Sequence, residues 1–174
     1  SELMKFAESG QLYRGAKPVM WSPVEQTALA EAEVEYEEIT STQVDVAFEI
    51  VEAPNAPELR GAHAVIWTTT PWTLPVNRAL AYGEDVDYVL WRDMDGRKFL
   101  LAVEQSGQSL IRFGRAPVAG DDDNYGPIWQ GKGAALAGAI ARHPWHARGG
   151  FFAEPRPLLP GEFVTTDAGT GLVH

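Results

Sequence analysis

The feature that most narrows what this chain can fold into is a period of two. Val44, Val46, Phe48 and Ile50 alternate with Asp45, Ala47 and Glu49, which puts the apolar set on one face of a half-buried strand. Ala53 to Pro57 (APNAP) breaks that strand. Ala64 to Thr68 (AVIWT) is a short apolar run closed by a hydroxyl, the mark of a buried strand. Tyr88 to Arg92 and Arg97 to Ala102 flank Asp95-Gly96, a hairpin signal in which both turn positions are expected at positive φ. Val103, Leu110 and Phe113 then recur at helical spacing, with Gly114 placed to end the helix. Gly120 to Gly126 reads as a polar loop. Lys132 to Arg142 reads as a short Ala-rich helix with Leu136 and Ile140 on one face, stopped by Pro144. From Phe151 the tail reads as strand, proline-rich turn and strand.

Strands outnumber helices here and do not alternate with them regularly. The expectation is a mainly β, β-barrel-like domain with a few peripheral helices, rather than a doubly wound sheet. At 174 residues the chain supports one well-buried core, so a single domain over 1–174 is expected. No apolar run is long enough to span a bilayer, and no signal-peptide pattern opens the chain. No membrane partner is therefore expected. Ser1 to Gly10 reads as a polar helix entered partway along, as in a piece of a larger protein.

There are no cysteines, which excludes disulfides and cysteine-ligated zinc. His143 and His146 are close in sequence, but Pro144 lies between them and no carboxylate joins them at helical spacing. They read as a histidine pair on a surface loop, and no metal is expected. The net charge of −10 is the wrong sign for a protein that tracks a nucleic-acid backbone. The acid gathers in Glu31, Glu33, Glu35, Glu37 and Glu38 and in Asp121 to Asp123, which read as solvated faces and a loop. Any contact with nucleic acid should be local, at the end of a strand.

Two segments can carry chemistry. Trp67 to Asn77 (WTTTPWTLPVN) sets three threonines at the end of a strand, where Pro71 favours a turn. Hydroxyls there can donate and accept, and Trp72 offers a flat apolar wall; equally, the threonines suit a strand and the tryptophans a core. The second segment is Thr165 to His174 (TTDAGTGLVH). Gly169 and Gly171 would let backbone approach a ligand, and His174 could orient a water or bound a pocket. The segment lacks the lysine and spacing of a phosphate loop. There is no G-x-S-x-G and no nucleophile–base pair, so hydrolysis would have to use an oriented water.

At these segments the chain resembles the editing insertion of isoleucyl-tRNA synthetases, within the class I aminoacyl-tRNA synthetases. The resemblance runs through Leu12 to Pro23 (LYRGAKPVMWSP), Thr27 to Tyr36 (TALAEAEVEY), Gly61 to Ala79 (GAHAVIWTTTPWTLPVNRA) and Asp167 to His174 (DAGTGLVH). Relatives that edit for valine and leucine carry TTRP, whereas Thr68 to Trp72 has the isoleucine-type TTTPW. The resemblance implies hydrolysis of the valine ester at the 3′ aminoacyl-adenosine end of tRNA(Ile). Thr68, Thr69 and Thr70 would line the pocket, Trp72 would wall it and Asn77 would support the threonine loop. His174 would exclude the isoleucyl side chain and place water; Thr69 and Thr70 join it as catalytic candidates.

It also implies a cytoplasmic protein whose partners include the remainder of the parent synthetase. The parent would need ATP and Mg; this piece, without HIGH-like or KMSKS-like motifs, should need no cofactor and should not aminoacylate. Where some relatives carry paired cysteines after Trp21, this chain has Ser22 and Glu25. An acidic residue that in the family grips the α-amino group lies beyond His174. The alternative is therefore a module that binds the aminoacyl-adenosine end without turning it over.

Overall fold

The computed structural model describes residues 1–115 and 125–174. Asp121 to Asp123 and most of the 120–126 loop lie outside the described residues. Where the sequence reads as one domain over 1–174, the chain divides into two units, Ser1–Thr40 and Ser41–His174.

The first unit holds helix α1 (Glu2–Glu8) and an antiparallel pair, β1 (Trp21–Ser22) and β2 (Thr27–Ala28). Glu31 to Glu38 stand exposed apart from half-buried Val34, as a solvated acidic stretch should. Ser22 donates its hydroxyl to the Glu25 carboxylate. The two residues that stand in place of paired cysteines thus close the turn between β1 and β2 with a hydrogen bond. No residue of this unit is buried.

The second unit is a nine-stranded mixed sheet, mainly β as the sequence implies. Its strands are β3 (Val44–Glu52), β4 (His63–Thr68), β5 (Leu80–Tyr82), β6 (Asp87–Arg92), β7 (Lys98–Ala102), β8 (Gly126–Lys132), β9 (Ile140–Arg142), β10 (Pro155–Pro160) and β11 (Leu172–Val173). Their order is β11-β5-β10-β9-β3-β4-β7-β6-β8. The pairing order is open at its two ends, but the sheet coils: β11 lies against β4, and the Ala102 N–H at the end of β7 donates to the Thr170 carbonyl.

Phe48, Ile50, Ala64, Ile66, Leu90, Leu100 and Leu158 fill the inside of this curl. β4 is buried on both faces. Ala64 and Ile66 point into the main core, while Val65 meets Leu101 and Leu110 beneath helix α2 (Val103–Arg112). That double burial is why AVI runs without a polar interruption.

The hairpin at Asp95-Gly96 is present, with a different turn. Asp93 N–H donates to the Arg97 carbonyl at 2.8 Å and Gly96 N–H to the Asp93 carbonyl at 2.9 Å. Gly96 has φ +78°, whereas Asp95 is not at positive φ. This is a longer loop with one left-handed residue, in place of a two-residue turn with two.

The expected helix over Lys132 to Arg142 does not form. The segment ends β8, makes a 3-10 turn (Gly133–Leu136) and enters β9. Gly133 passes so near the Gly83 carbonyl that a Cβ would sit 1.9 Å from its oxygen, and Gly138 has φ +75°. Buried Ala139 and Ala141 join the core, so tertiary packing overrides alanine's helix propensity.

The tail differs as well. Phe151 lies in a 3-10 turn, and the proline-rich stretch is itself strand β10. Residues 155–157 pair with β9 and residues 158–160 with β5, while the Leu158 N–H still donates to the Ala139 carbonyl beside β9. The strand thus changes partner midway, and partial pairing is where a sheet tolerates proline.

Candidate functional site

β4 delivers the threonines. Thr68 is its last residue and is buried, while Thr69 and Thr70 are exposed. Pro71 then starts a 3-10 turn (Pro71–Val76) with its fixed φ. Three residues make one turn of such a helix, so Thr70 and Thr73 stand one above the other. Thr73 was not picked out by sequence; a proline one position after Thr70 is the signal that could have found it.

The hydroxyls form a directed chain. Thr73 donates to the Thr70 carbonyl at 2.6 Å, which commits its only proton. Its oxygen, 3.3 Å from Thr70 Oγ1, is left to accept from Thr70. Thr70 Oγ1 in turn lies 3.1 Å from Thr68 Oγ1, which also accepts the Thr70 N–H at 3.1 Å. His174 Nε2 is 3.5 Å from Thr73 Oγ1. Because Thr73 has no proton left, Nε2–H must be the donor in that contact, leaving the Nδ1 lone pair uncommitted. Burial lowers the His174 pKa from 6.5, so the imidazole is neutral at pH 7.

His174 arrives from the far end of the chain. β11 pairs antiparallel with β5, Val173 opposite Ala81, and His174 is the next residue. The loop before it is fixed by groups distant in sequence. Tyr88 donates its hydroxyl to the Gly171 carbonyl at 2.6 Å and accepts the Gly83 N–H at 3.1 Å. Burial pushes the Tyr88 phenol up to about 12, so it remains a donor throughout the working pH range. The close approach read for Gly169 and Gly171 is made to the protein itself. A Cβ on Gly171 would lie 2.3 Å from the Ala102 Cβ, and one on Gly169 would lie 3.3 Å from the Trp67 ring.

Beside the Thr73–His174 contact opens a cleft of about 440 Å³ lined by Thr73, Asn77, Arg78, Ala81, Phe163 and His174 among others. That is within the range of about 300–1,000 Å³ of small-molecule sites. Asn77 is buried, donates from Nδ2 to the Ala79 carbonyl at 2.7 Å, and leaves Oδ1 without a partner among the described residues. Arg78 and Phe163 carried no sequence signal, since what brings them to the cleft is the pairing of β5 with β10 and β11. Thr68, Thr69, Thr70 and Trp72 are not among the lining residues; Thr68 and Thr70 connect to the cleft through Thr73. Trp72 is 72% exposed and walls nothing in this arrangement.

His143 corrects the reading of a surface histidine pair. It is buried, with Nε2 3.0 Å from the Leu74 carbonyl and Nδ1 accepting the Trp145 N–H at 3.0 Å. It therefore pins the turn that carries Thr73. Its ring packs against Phe48, Trp145 and Phe152.

Comparison with known proteins follows the same lines. A family model for class I tRNA synthetases (I, L, M and V) matches residues 1–167. An isoleucine–tRNA ligase of Zymomonas mobilis subsp. mobilis is 58% identical over 176 residues, and one of Gluconobacter oxydans is 49% identical over 177. Each alignment covers 99% of this chain, which spans 18% of the relative's length. A crystal structure described as GlLeuRS-CP1 superimposes with a TM-score of 0.57 at 14% identity, covering 76% of this chain and 54% of that one. That likeness concerns the fold. No helix among the described residues is long and apolar enough to cross a membrane.

Proposed function

The chain belongs to the class I tRNA synthetases, and from that premise we propose that it is the proofreading domain of an isoleucyl-tRNA synthetase, hydrolysing the valyl ester at the 3′ end of tRNA(Ile). The need is physical. Isoleucine and valine differ by one methylene, worth only about 1–3 kcal/mol in an apolar pocket, so a synthetic site alone discriminates poorly. A second, smaller cavity that accepts valine and excludes isoleucine supplies the rest.

The observation that carries this reading is the meeting of the Thr68–Thr70–Thr73 hydroxyl chain with neutral His174 on one side of a cleft. In the proposed reaction the terminal adenosine ester lies in the cleft. A water held at His174 Nδ1 gives its proton to that nitrogen as its oxygen attacks the ester carbonyl. The C–O bond to the ribose then breaks, and the leaving hydroxyl takes up a proton, releasing valine and the free RNA end. Thr73 holds the imidazole through Nε2, and Asn77 braces the turn through its bond to the Ala79 carbonyl. Thr68 and Thr70 act through Thr73, which alone of the hydroxyl chain lines the cleft.

A second reading keeps the same site without turnover, as a module that only binds the aminoacyl-adenosine end. It is favoured by the 3.5 Å separation of His174 and Thr73, long for a hydrogen bond that orients a base. His174→Ala separates the possibilities when deacylation of valyl- and isoleucyl-tRNA(Ile) is measured beside thermal stability. With His174 as wall and base, valyl hydrolysis falls about 100-fold and the isoleucyl ester, admitted by the lost ring, gains relative to it. Tight binding of a valyl-adenosine analogue with no hydrolysis by the parent chain supports the binding module. A stably folded variant with both rates unchanged removes His174 from the site.

A further inference from the structure

Four basic side chains of the second unit face carboxylates: Arg112 meets Asp45, Arg115 meets Asp93 and Asp95, Lys132 meets Asp87 and Arg142 meets Glu49. Two arginines beside the cleft are held differently. Neither Arg78 nor Arg156 has a carboxylate partner among the described ion pairs, in a chain whose acids outnumber its bases 24 to 14. Both guanidiniums lie over one ring, Arg78 at 5.1 Å and Arg156 at 4.7 Å from the centre of Phe151.

Arg156 is fully buried. It donates to the carbonyls of Phe151 at 2.8 Å and Glu154 at 2.5 Å, and its Nε has no partner. Glu154 favours its charged form and Arg78 opposes it, and a charge held in low dielectric acts over a longer range than one in water. Arg78 is exposed, lines the cleft and follows Asn77 directly. Cation–π contact with Phe151 holds its planar fork at the rim. Two like charges on one ring repel, and an anion bound beside Arg78 would relieve that repulsion. A phosphodiester fits the fork geometry of a guanidinium.

We propose that Arg78, backed by the buried charge of Arg156, forms a phosphodiester subsite at the rim of the cleft. It takes the phosphate that joins the terminal nucleoside of an RNA 3′ end to the nucleotide before it. The inference rests on the reading of the cleft as the seat of a terminal adenosine. It answers how a chain of net charge −10 holds nucleic acid: with one local contact at a strand end, and no broad basic surface.

The test compares three probes on the parent chain, Arg78→Ala and Arg78→Lys: adenosine, a dinucleotide ending in adenosine, and the same dinucleotide with a neutral methylphosphonate link. The charged dinucleotide should bind the parent about tenfold more tightly than its neutral counterpart. Arg78→Ala should abolish that difference, and Arg78→Lys should keep part of it. The slope of log affinity against log salt should fall by about 0.7 in Arg78→Ala. Equal binding of charged and neutral dinucleotides by the parent overturns the subsite while leaving the adenosine cleft standing. A charge preference that survives in Arg78→Ala overturns it too. If none of the three probes binds, the cleft reading falls and the subsite falls with it.

Discussion

The two segments that meet beside the cleft are held by different means. The threonine wall is local: Thr68, Thr70 and Thr73 bond to one another across two or three residues, with His143 and His174 reaching in from a distance. The second wall, 166–174, is held from outside. Gln105 donates to the Thr166 carbonyl, Ser109 to the Gly169 carbonyl, Ala102 N–H to the Thr170 carbonyl and Tyr88 to the Gly171 carbonyl. One wall is written by a short stretch of sequence. The other exists only when helix α2 and strands β6 and β7 are in place. Damage to the second wall should therefore spread through the fold, whereas damage to the first should remain near the site.

The severest break of that contrast is Gly171→Ala. Gly171 has φ +78°, and a Cβ there would lie 2.3 Å from the Ala102 Cβ. Left-handed strain and overpacking together should cost about 3 kcal/mol. Denaturant unfolding measures it, with Ala102→Gly added to the variant as a control. The second change removes the clash but leaves the strain, so it should recover about half the loss. A cost under about 0.5 kcal/mol would show that this wall is not gripped by β7.

Tyr88→Phe is the next largest. It strips one hydroxyl from two buried backbone groups, and each unsatisfied group costs about 1–3 kcal/mol. A total near 2 kcal/mol is expected, together with a lower deacylation rate as His174 loses its register. Thr73→Val is the matching change in the local wall. It removes the bond to the Thr70 carbonyl from a half-exposed position, so stability should drop by only about 0.5–1 kcal/mol. The rate should fall at least as far as in Tyr88→Phe. Equal stability losses in the two variants would erase the distinction between the walls.

The same distinction explains what the sequence made legible. The alternation at Val44 to Ile50, the run Ala64 to Thr68 and the helix ended by Gly114 are local patterns, and each marks the element that forms. The threonine loop and His174 were visible as unusual local segments. Nothing local announced that Lys132 to Arg142 must be flattened to let Gly133 pass Gly83, or that PRPLLP can be a strand that changes partner from β9 to β5 midway. The cleft divides in the same way. Asn77 and His174, which lie in the two segments singled out, are among its lining residues, while Arg78 and Phe163 reach it through strand pairing that no short window encodes. Trp72, conspicuous in sequence, points to solvent.

The smallest expected effect is on pH dependence, and it sharpens the comparison because each wall has one histidine, His143 buried and His174 half-buried. His143 donates from Nε2 to the Leu74 carbonyl and accepts the Trp145 N–H at Nδ1, so only the neutral ring suits it. Burial is the main cause that lowers its pKa from 6.5; the Leu74 carbonyl opposes the shift and Arg156 adds to it. Burial lowers the His174 pKa from 6.5 as well. For a group whose folded pKa lies below its unfolded value, the unfolded chain binds more protons between the two values. The contribution to stability is then complete above pH 6.5 and is lost as pH falls towards the folded pKa. Melting temperature should be level from pH 7 to 8 and should decline below 6.5, before carboxylates titrate near about 4. His143→Gln keeps an N–H for the Leu74 carbonyl and cannot be protonated, so it should flatten part of the decline. His174→Ala should flatten another part, and the two together should fall short of the sum, because His174 contacts Thr73 in the turn that His143 pins. If His143→Gln leaves the decline between pH 5 and 6.5 unchanged, the neutral imidazole is not what anchors the threonine turn. The local wall would then stand on its own hydroxyl chain alone.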